Sequence, residues 1–199
     1  CNPGGETGFG LLEKSSFHGG VPVIAYRFRR GARPFSPKEK EMKAAVWYGK
    51  EDLRIADVPE PVVAKDLVKI KVRWCGICGS DVHEYKEGPM IIPKKPHPLT
   101  GKSAPVILGH EFSGDVVDVG PEVKRIRVGD RVTINCLIYC GTCVYCRDGE
   151  YNMCTRLATV GLAWDGAFAE YLAVPEYTVL KIPDSVTYEM ASFAEPLAV

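Results

Sequence analysis

The chain has 199 residues, of which 46% are hydrophobic, so it is long enough to bury a sizeable core. Basic and acidic residues number 25 each, and a formal net charge of zero gives no reason to expect nucleic acid or an anionic membrane as a partner. No stretch reaches the roughly 20 apolar residues of a membrane span. The eight cysteines are tightly clustered, which favours metal thiolates in a reducing, cytoplasmic compartment over extracellular disulfides.

The first forty residues differ in composition from the rest of the chain. Residues 1–41 are rich in Gly, Pro, Ser and Arg and have no sustained helical or strand period. From Met42 the stretch "MKAAVWYGKEDLRIADVPEP" predicts two short strands joined by a Gly-containing turn. We therefore expect a domain over residues 42–199, with Met42 as the natural start and residues 1–41 as non-native upstream sequence. A disordered N-terminal tail is the alternative.

Short strands with Gly and Pro turns dominate the remaining pattern. Residues 67–72 alternate apolar and polar side chains, and "FSGDVVDVG", "VGDRVTINC", "AFAEYLAVP" and "TVLKIP" predict further strands. The stretch "SVTYEMASFAEPLAV" predicts a helix capped by Asp184 or Ser185. This order predicts a mainly β fold, a barrel or a sandwich, with short helices. The G-x-G-x-x-G fingerprint of nucleotide binding is absent from the sequence.

Four cysteines follow the spacing C-x₂-C-x₂-C-x₇-C: Cys140, Cys143, Cys146 and Cys154. Such close cysteines rarely form good disulfides, and the βαβ context of a thioredoxin-like redox site is missing. An iron–sulfur cluster is an alternative, although the spacing differs from the usual ferredoxin runs. A tetrahedral zinc site fits best, and four thiolates leave no open position, so we expect a structural zinc. The nearby Cys136 is expected to be a small buried residue.

Other candidate metal ligands are scattered over "CGICGSDVHEY", "ILGHEFSG" and "FAEPLAV". A catalytic zinc needs fewer protein ligands and one open position for water or substrate. Each of these stretches alone is weak evidence for a metal site, because a single cysteine such as Cys78 or histidine such as His110 is most often a core residue. A carboxylate such as Glu111 is most often a solvated charge.

Taken in order, these motifs resemble the zinc-dependent, medium-chain alcohol and polyol dehydrogenases. The resemblance covers residues 42–199 and rests on "GICGSD", "GHEFSG", "VGDRV", the four-cysteine spacing and "EPLAV". The stretch "HEYKEGPMIIPKKPHPLTGKSAPVILGHEFSG" looks most like the 2,3-butanediol dehydrogenase branch. The resemblance implies an incomplete GroES-like barrel, the catalytic domain, which the family combines with a Rossmann domain. We expect a fragment that stops before that domain and is inactive alone.

The resemblance also implies a catalytic zinc centre. Cys78 and His110 correspond to two of its ligands. Glu111 and Glu195 correspond to alternative third ligands, or to partners that exchange with the zinc-bound water, and the sequence does not rank them. Asp81 resembles the carboxylate that orients the ligand histidine.

Two further residues match a proton relay in the family. Ser80 sits where the family has its relay hydroxyl, and His83 where some members have a histidine that completes the relay. An N-cap role for Ser80 and an ordinary surface position for His83 are the alternatives. Cys75 has no role in the family and is expected to lie in the core.

The function that the resemblance implies is zinc-assisted alcohol oxidation with hydride transfer to NAD or NADP. It implies two zinc ions per chain, one catalytic and one structural. The favoured substrates are secondary alcohols or vicinal diols, 2,3-butanediol or acetoin first and sorbitol-type polyols or threonine next. The complete enzyme is expected to form a homodimer or homotetramer. A non-catalytic zinc-binding fragment is the alternative function, and a zinc-free reductase conflicts with both cysteine-containing constellations.

Overall fold

The computed structural model describes residues 40–199, which form ten strands and four short α-helices. Strand β1 begins at Glu41, one residue before the predicted domain boundary at Met42. Residues 1–39 lie outside the described part, so the prediction that residues 1–41 are non-native upstream sequence stays a prediction.

A three-stranded antiparallel sheet opens the described chain. Strands β1, Glu41–Gly49, and β2, Asp52–Pro59, form the predicted hairpin, and β4, Val106–Ile107, pairs with the other edge of β1. Met42 and Ala44 are buried on one face of β1, because side chains of a strand alternate between its faces.

The main sheet has five antiparallel strands: β3 Leu67–Gly76, β5 Glu111–Val119, β6 Arg131–Ile134, β9 Tyr171–Pro175 and β10 Val179–Lys181. Their spatial order is β10-β6-β5-β3-β9. Together with the three-stranded sheet, this arrangement confirms the prediction of a mainly β fold with short helices.

The largest hydrophobic core lies on one face of the main sheet. Val68 and Ile70 on β3 are fully buried and pack with Phe112 of β5, Val132 of β6 and Val174 of β9. The apolar residues of β3 that are two apart in sequence therefore face the same core, as the alternation in the sequence predicts.

The remaining elements are short and lie in the connections. The α-helices are α1 Gly79–Glu87, α2 Val144–Arg147, α3 Tyr188–Ser192 and α4 Ala194–Leu197. The 3₁₀ turns are Tyr151–Met153 and Glu176–Thr178. Strand β7, Leu137–Ile138, pairs with β8, Ala158–Thr159. None of the helices in this part of the chain has both the length and the apolar composition that crossing a bilayer requires.

The predicted cap of the C-terminal helix was wrong. Helix α3 is capped by Thr187, whose side-chain oxygen accepts a hydrogen bond from the backbone N–H of Met190 at 3.1 Å. The predicted caps, Asp184 and Ser185, lie in a turn closed by the N–H of Val186 and the carbonyl of Pro183. Asp184 and Ser185 lie three or four residues before the first residue of the helix, too far away to occupy its N-cap position.

A buried glutamate on α1 fixes the segment that follows the helix. The Glu84 side chain is 1% exposed, and its carboxylate accepts hydrogen bonds from the backbone N–H groups of Met90, Ile91 and Ile92. The indole N–H of Trp47 donates to the main-chain carbonyl of Glu84 at 3.1 Å, which attaches α1 to β1. Helix α1 is therefore tied to the strands on one side and to residues 90–92 on the other.

Candidate metal centres

The pairing of β3 with β5 brings two distant sequence motifs together. The strands are antiparallel, and Gly76 at the end of β3 lies opposite Glu111 at the start of β5. Cys78 lies two residues after the end of β3, and His110 directly precedes β5. The end of one strand and the start of its antiparallel neighbour share one edge of the sheet, so the two motifs meet there.

Cys78, His110 and Glu111 form a cluster whose potential ligand atoms all lie within 4.8 Å of one another. His110 is 4% exposed and Glu111 8% exposed, and the His110 Nδ1 atom is buried without a hydrogen-bond partner. Two atoms that each lie about 2.0–2.3 Å from the same zinc ion are no farther apart than the ligand atoms of this cluster can be. A sulfur, an imidazole and a carboxylate are all donors that zinc accepts, so the cluster fits a zinc ion.

Asp81 ties the backbone at both ends of this cluster. Its carboxylate accepts the N–H of Cys78 at 3.0 Å and the N–H of Gly109 at 3.3 Å. One of its oxygens lies 3.8 Å from His110 Nδ1. Burial raises the pKa of Asp81, and the His110 charge and the two N–H groups oppose that rise. Asp81 is thus the charged neighbour of His110 Nδ1, at a separation longer than a hydrogen bond.

Two glycines beside the cluster have no room for a side chain. A Cβ atom at Gly76 would lie 2.5 Å from a carboxylate oxygen of Glu111, so a side chain there would displace that carboxylate. Gly109 has φ +92°, and a Cβ atom there would lie 2.6 Å from the Phe168 ring. The positive φ turns the chain just before His110, and glycine adopts that conformation without strain.

The two candidate relay residues lie in different environments. The Ser80 hydroxyl is 3.4 Å from Nε2 of His110, at the edge of the cluster. The N-cap of α1 is Cys78, so the alternative in which Ser80 caps this helix does not hold. His83 is exposed on α1 and does not belong to the cluster.

The structure separates the two carboxylates that the sequence does not rank. Glu111 belongs to the cluster, whereas Glu195 on α4 accepts a hydrogen bond from the Cys136 thiol, with 3.1 Å between Sγ and Oε1. Cys136 is buried, as predicted. Burial, then the hydrogen bond to Glu195 and the Glu195 charge, raise the pKa of Cys136, with a smaller effect from the Cys78 charge. The thiol–carboxylate contact had no signal in the sequence, because the partners are distant in the chain.

The other predicted core cysteine, Cys75, packs half-buried against the main core. No disulfide links the seven cysteines among residues 40–199.

The four-cysteine segment closes into a compact lobe. All four sulfur atoms, from Cys140, Cys143, Cys146 and Cys154, lie within 4.8 Å of one another. The Sγ–Sγ distances are 4.0 Å between Cys140 and Cys146 and 3.5 Å between Cys143 and Cys146. Sulfurs about 2.3 Å from a tetrahedral zinc are about 3.8 Å apart, so the lobe fits a four-thiolate zinc.

The surroundings of the lobe favour thiolates at two positions. Backbone and side-chain hydrogen bonds from Thr142 lower the pKa of Cys140 to about 5, and the backbone N–H of Cys146 lowers the pKa of Cys143 to about 7. Burial raises the pKa of Cys146 to about 12, so a thiolate there needs a nearby positive charge. A zinc ion supplies that charge.

Three tyrosines attach the lobe to the rest of the domain, a contact that the sequence analysis missed. The rings of Tyr139 and Tyr151 stack with their centroids 4.2 Å apart, and Tyr139 packs at 4.5 Å against Tyr177, which follows β9. The backbone N–H of Tyr139 donates to the Tyr177 hydroxyl at 3.2 Å.

Comparison with known proteins gives consistent matches. Residues 64–184 match the family "Alcohol dehydrogenase GroES-like domain". The chain is 48% identical over 160 residues to the (R,R)-butanediol dehydrogenase of Bacillus subtilis (strain 168), covering 79% of this chain and 45% of the relative.

Two solved structures extend this comparison. The crystal structure of 2R,3R-butanediol dehydrogenase from Bacillus subtilis matches with a TM-score of 0.74 at 48% identity, covering 79% of this chain and 45% of that one. A cobalt- and zinc-bound thermostable alcohol dehydrogenase from Pyrobaculum aerophilum matches with a TM-score of 0.66 at 26% identity, covering 78% and 45%. The chain spans a little under half the length of the curated relatives it matches.

Proposed function

The chain belongs to the family of alcohol dehydrogenase GroES-like domains, and from this premise we propose that it is the catalytic part of a zinc-dependent oxidoreductase of secondary alcohols or vicinal diols. The membership agrees with the resemblance and the GroES-like fold expected from the sequence. The observation that carries the proposed activity is the cluster of half-buried Cys78 with buried His110 and Glu111, which has too few protein ligands to saturate a zinc ion.

In this proposal the residues of the cluster hold a catalytic zinc ion. When bound, the zinc supplies a positive charge that polarises the alcohol oxygen and stabilises its deprotonated form. Asp81 orients His110 and fixes the backbone on both sides of the cluster. The Ser80 hydroxyl lies near enough to the cluster to accept the alcohol proton and pass it outward. His83, which is exposed, would complete that route to water.

The four-cysteine lobe holds a second zinc ion in the same proposal. Its four thiolates complete a tetrahedral shell, which leaves no position for substrate. This zinc would hold together a segment that has only short helical turns of its own. The lobe by itself would suit a protein that binds zinc without catalysis, so that function is the second candidate.

The substrate, the acceptor and the assembly follow from the relatives and the sequence resemblance. The name of the Bacillus subtilis relative favours 2,3-butanediol. The sequence resemblance adds acetoin, with sorbitol-type polyols and threonine as alternatives. The hydride acceptor is NAD or NADP. The complete enzyme is a homodimer or homotetramer in the cytoplasm, where reducing conditions keep metal thiolates intact.

Metal stoichiometry tests the proposal directly. The purified chain should contain two equivalents of zinc by mass spectrometry of the metal. His110→Ala should lose one equivalent, whereas the matched variant His83→Ala, on an exposed histidine, should keep both. Cys146→Ser should lose the other equivalent. If the wild-type chain binds only one equivalent of zinc and His110→Ala keeps it, the catalytic centre is contradicted and only the zinc-binding function remains.

A chimaera tests the activity. Residues 42–199 would replace the matching part of the Bacillus subtilis relative, to which the chain is 48% identical. The chimaera should oxidise 2,3-butanediol with NAD and should lose this activity with His110→Ala. Saturable NAD binding without alcohol oxidation by the folded, zinc-loaded chimaera would refute the proposed reaction.

A further inference from the structure

Cys136 connects parts of the candidate catalytic centre that are far apart in sequence. Its buried thiol donates to Oε1 of Glu195 across 3.1 Å, and Cys136 belongs to the same hydrophobic cluster as Phe112, the residue after Glu111. Helix α4, which carries Glu195, packs against β5, whose first residue is Glu111. The thiol and the Glu195 carboxylate therefore lie on the side of the domain where α4 packs against the strand that carries Glu111.

The two carboxylates are held in different ways. Glu111 is buried, and its side chain fills the space that Gly76 leaves open, which keeps it beside Cys78 and His110. Glu195 is half-buried, and one of its oxygens is engaged by the Cys136 thiol. A fourth protein ligand would fill the coordination position that a catalytic zinc needs for its substrate.

We infer that Cys136 is a positioning residue whose thiol holds the Glu195 carboxylate away from the catalytic metal. Cys78, His110 and Glu111 are then the protein ligands, and one coordination position stays open for the substrate oxygen. The inference rests on the proposed function, because it concerns the metal of the proposed catalytic centre.

Cobalt substitution tests this arrangement without an activity assay. The chain would be loaded with Co²⁺ and titrated with imidazole, a small ligand for an open position, while its visible absorption is recorded. The wild-type chain should give a saturable spectral change. Cys136→Ala should need at least about ten times more imidazole, because the released Glu195 then competes as a tethered ligand at roughly millimolar effective concentration.

Three further variants isolate the hydrogen bond. Cys136→Ser keeps a donor and should respond as wild type does. Cys75→Ala, at a half-buried thiol outside the cluster, should also leave the titration unchanged. The double variant with Cys136→Ala and Glu195→Gln should regain the wild-type response, because an amide is a poor competitor for the metal.

Failure of the inference about Cys136 can be distinguished from failure of the proposed catalytic centre. Two bound cobalt ions with an unchanged titration in Cys136→Ala would overturn the inference and leave the proposed function intact. The inference also fails if the effect of Cys136→Ala persists in the double variant. The single variant Glu195→Gln should keep the wild-type cobalt affinity, and a tenfold loss would show that Glu195 is a ligand and overturn the inference. Binding of only one cobalt ion by the wild-type chain would refute the proposed catalytic centre itself.

Discussion

Replacing Glu84 by glutamine is expected to destabilise the domain by about 3 kcal/mol. The carboxylate accepts N–H groups from Met90, Ile91 and Ile92, and the side chain is 1% exposed. A glutamine oxygen in place of Oε1 can still accept from Ile91 and Ile92. The amide nitrogen in place of Oε2 would then face the Met90 N–H, which keeps only its longer contact with the Oε1 position, 3.2 Å instead of 3.0 Å. Most of one charge-assisted bond worth about 1.5–3 kcal/mol is therefore lost, and the other two weaken.

Urea unfolding measures this loss. With a slope of about 2 kcal/mol per molar urea, the midpoint should fall by about 1.5 M. Glu87→Gln is the matched control, because Glu87 lies exposed on the same helix and undergoes the same chemical change. It should change stability by less than about 0.5 kcal/mol. All samples need equal, saturating zinc, since metal binding stabilises the folded state.

Equal midpoints for the two variants would refute the reasoning that three backbone N–H groups depend on the Glu84 carboxylate. A fall of about 1.5 M urea in both variants would refute it as well, because the loss would then follow from removing any charge from α1. The fluorescence of Trp47, whose indole donates to the Glu84 main-chain carbonyl, reports on this part of the fold in each sample.

Two other substitutions test the main sheet. Gly114→Ala should cost more than about 1 kcal/mol in urea unfolding, because its Cβ would lie 2.2 Å from a backbone oxygen of β3. Gly49→Ala, with open space around it, should cost far less, and equal losses would contradict the steric argument. At Asp115, burial is outweighed by hydrogen bonds from Tyr188 and Arg73, and the pKa is lowered. Because the folded pKa lies below the unfolded one, this stabilisation is complete above about pH 4 and is lost as the pH falls through the folded value. Asp115→Asn should therefore be less stable than wild type at pH 7, and this difference in unfolding free energy should narrow towards pH 3. A difference that stays constant with pH would contradict the lowered pKa of Asp115.

The sequence alone determined the features that depend on local spacing. Alternation over residues 67–72 predicted β3, because successive side chains of a strand face opposite sides of a sheet. The spacing of the four cysteines predicted a lobe that gathers four thiols, because a short segment can bring close residues together by its own turns. The mainly β fold followed from several such strands in succession.

Only the tertiary structure decided which distant side chains meet. Cys78 and His110 come together because β3 and β5 are antiparallel neighbours, and no local period encodes that pairing. The separation of Glu111 from Glu195, and the partner of Cys136, depend on where α4 packs. Contacts of this kind follow from the packing of whole elements, whereas the period of a strand and the spacing of a loop follow from the backbone geometry of neighbouring residues.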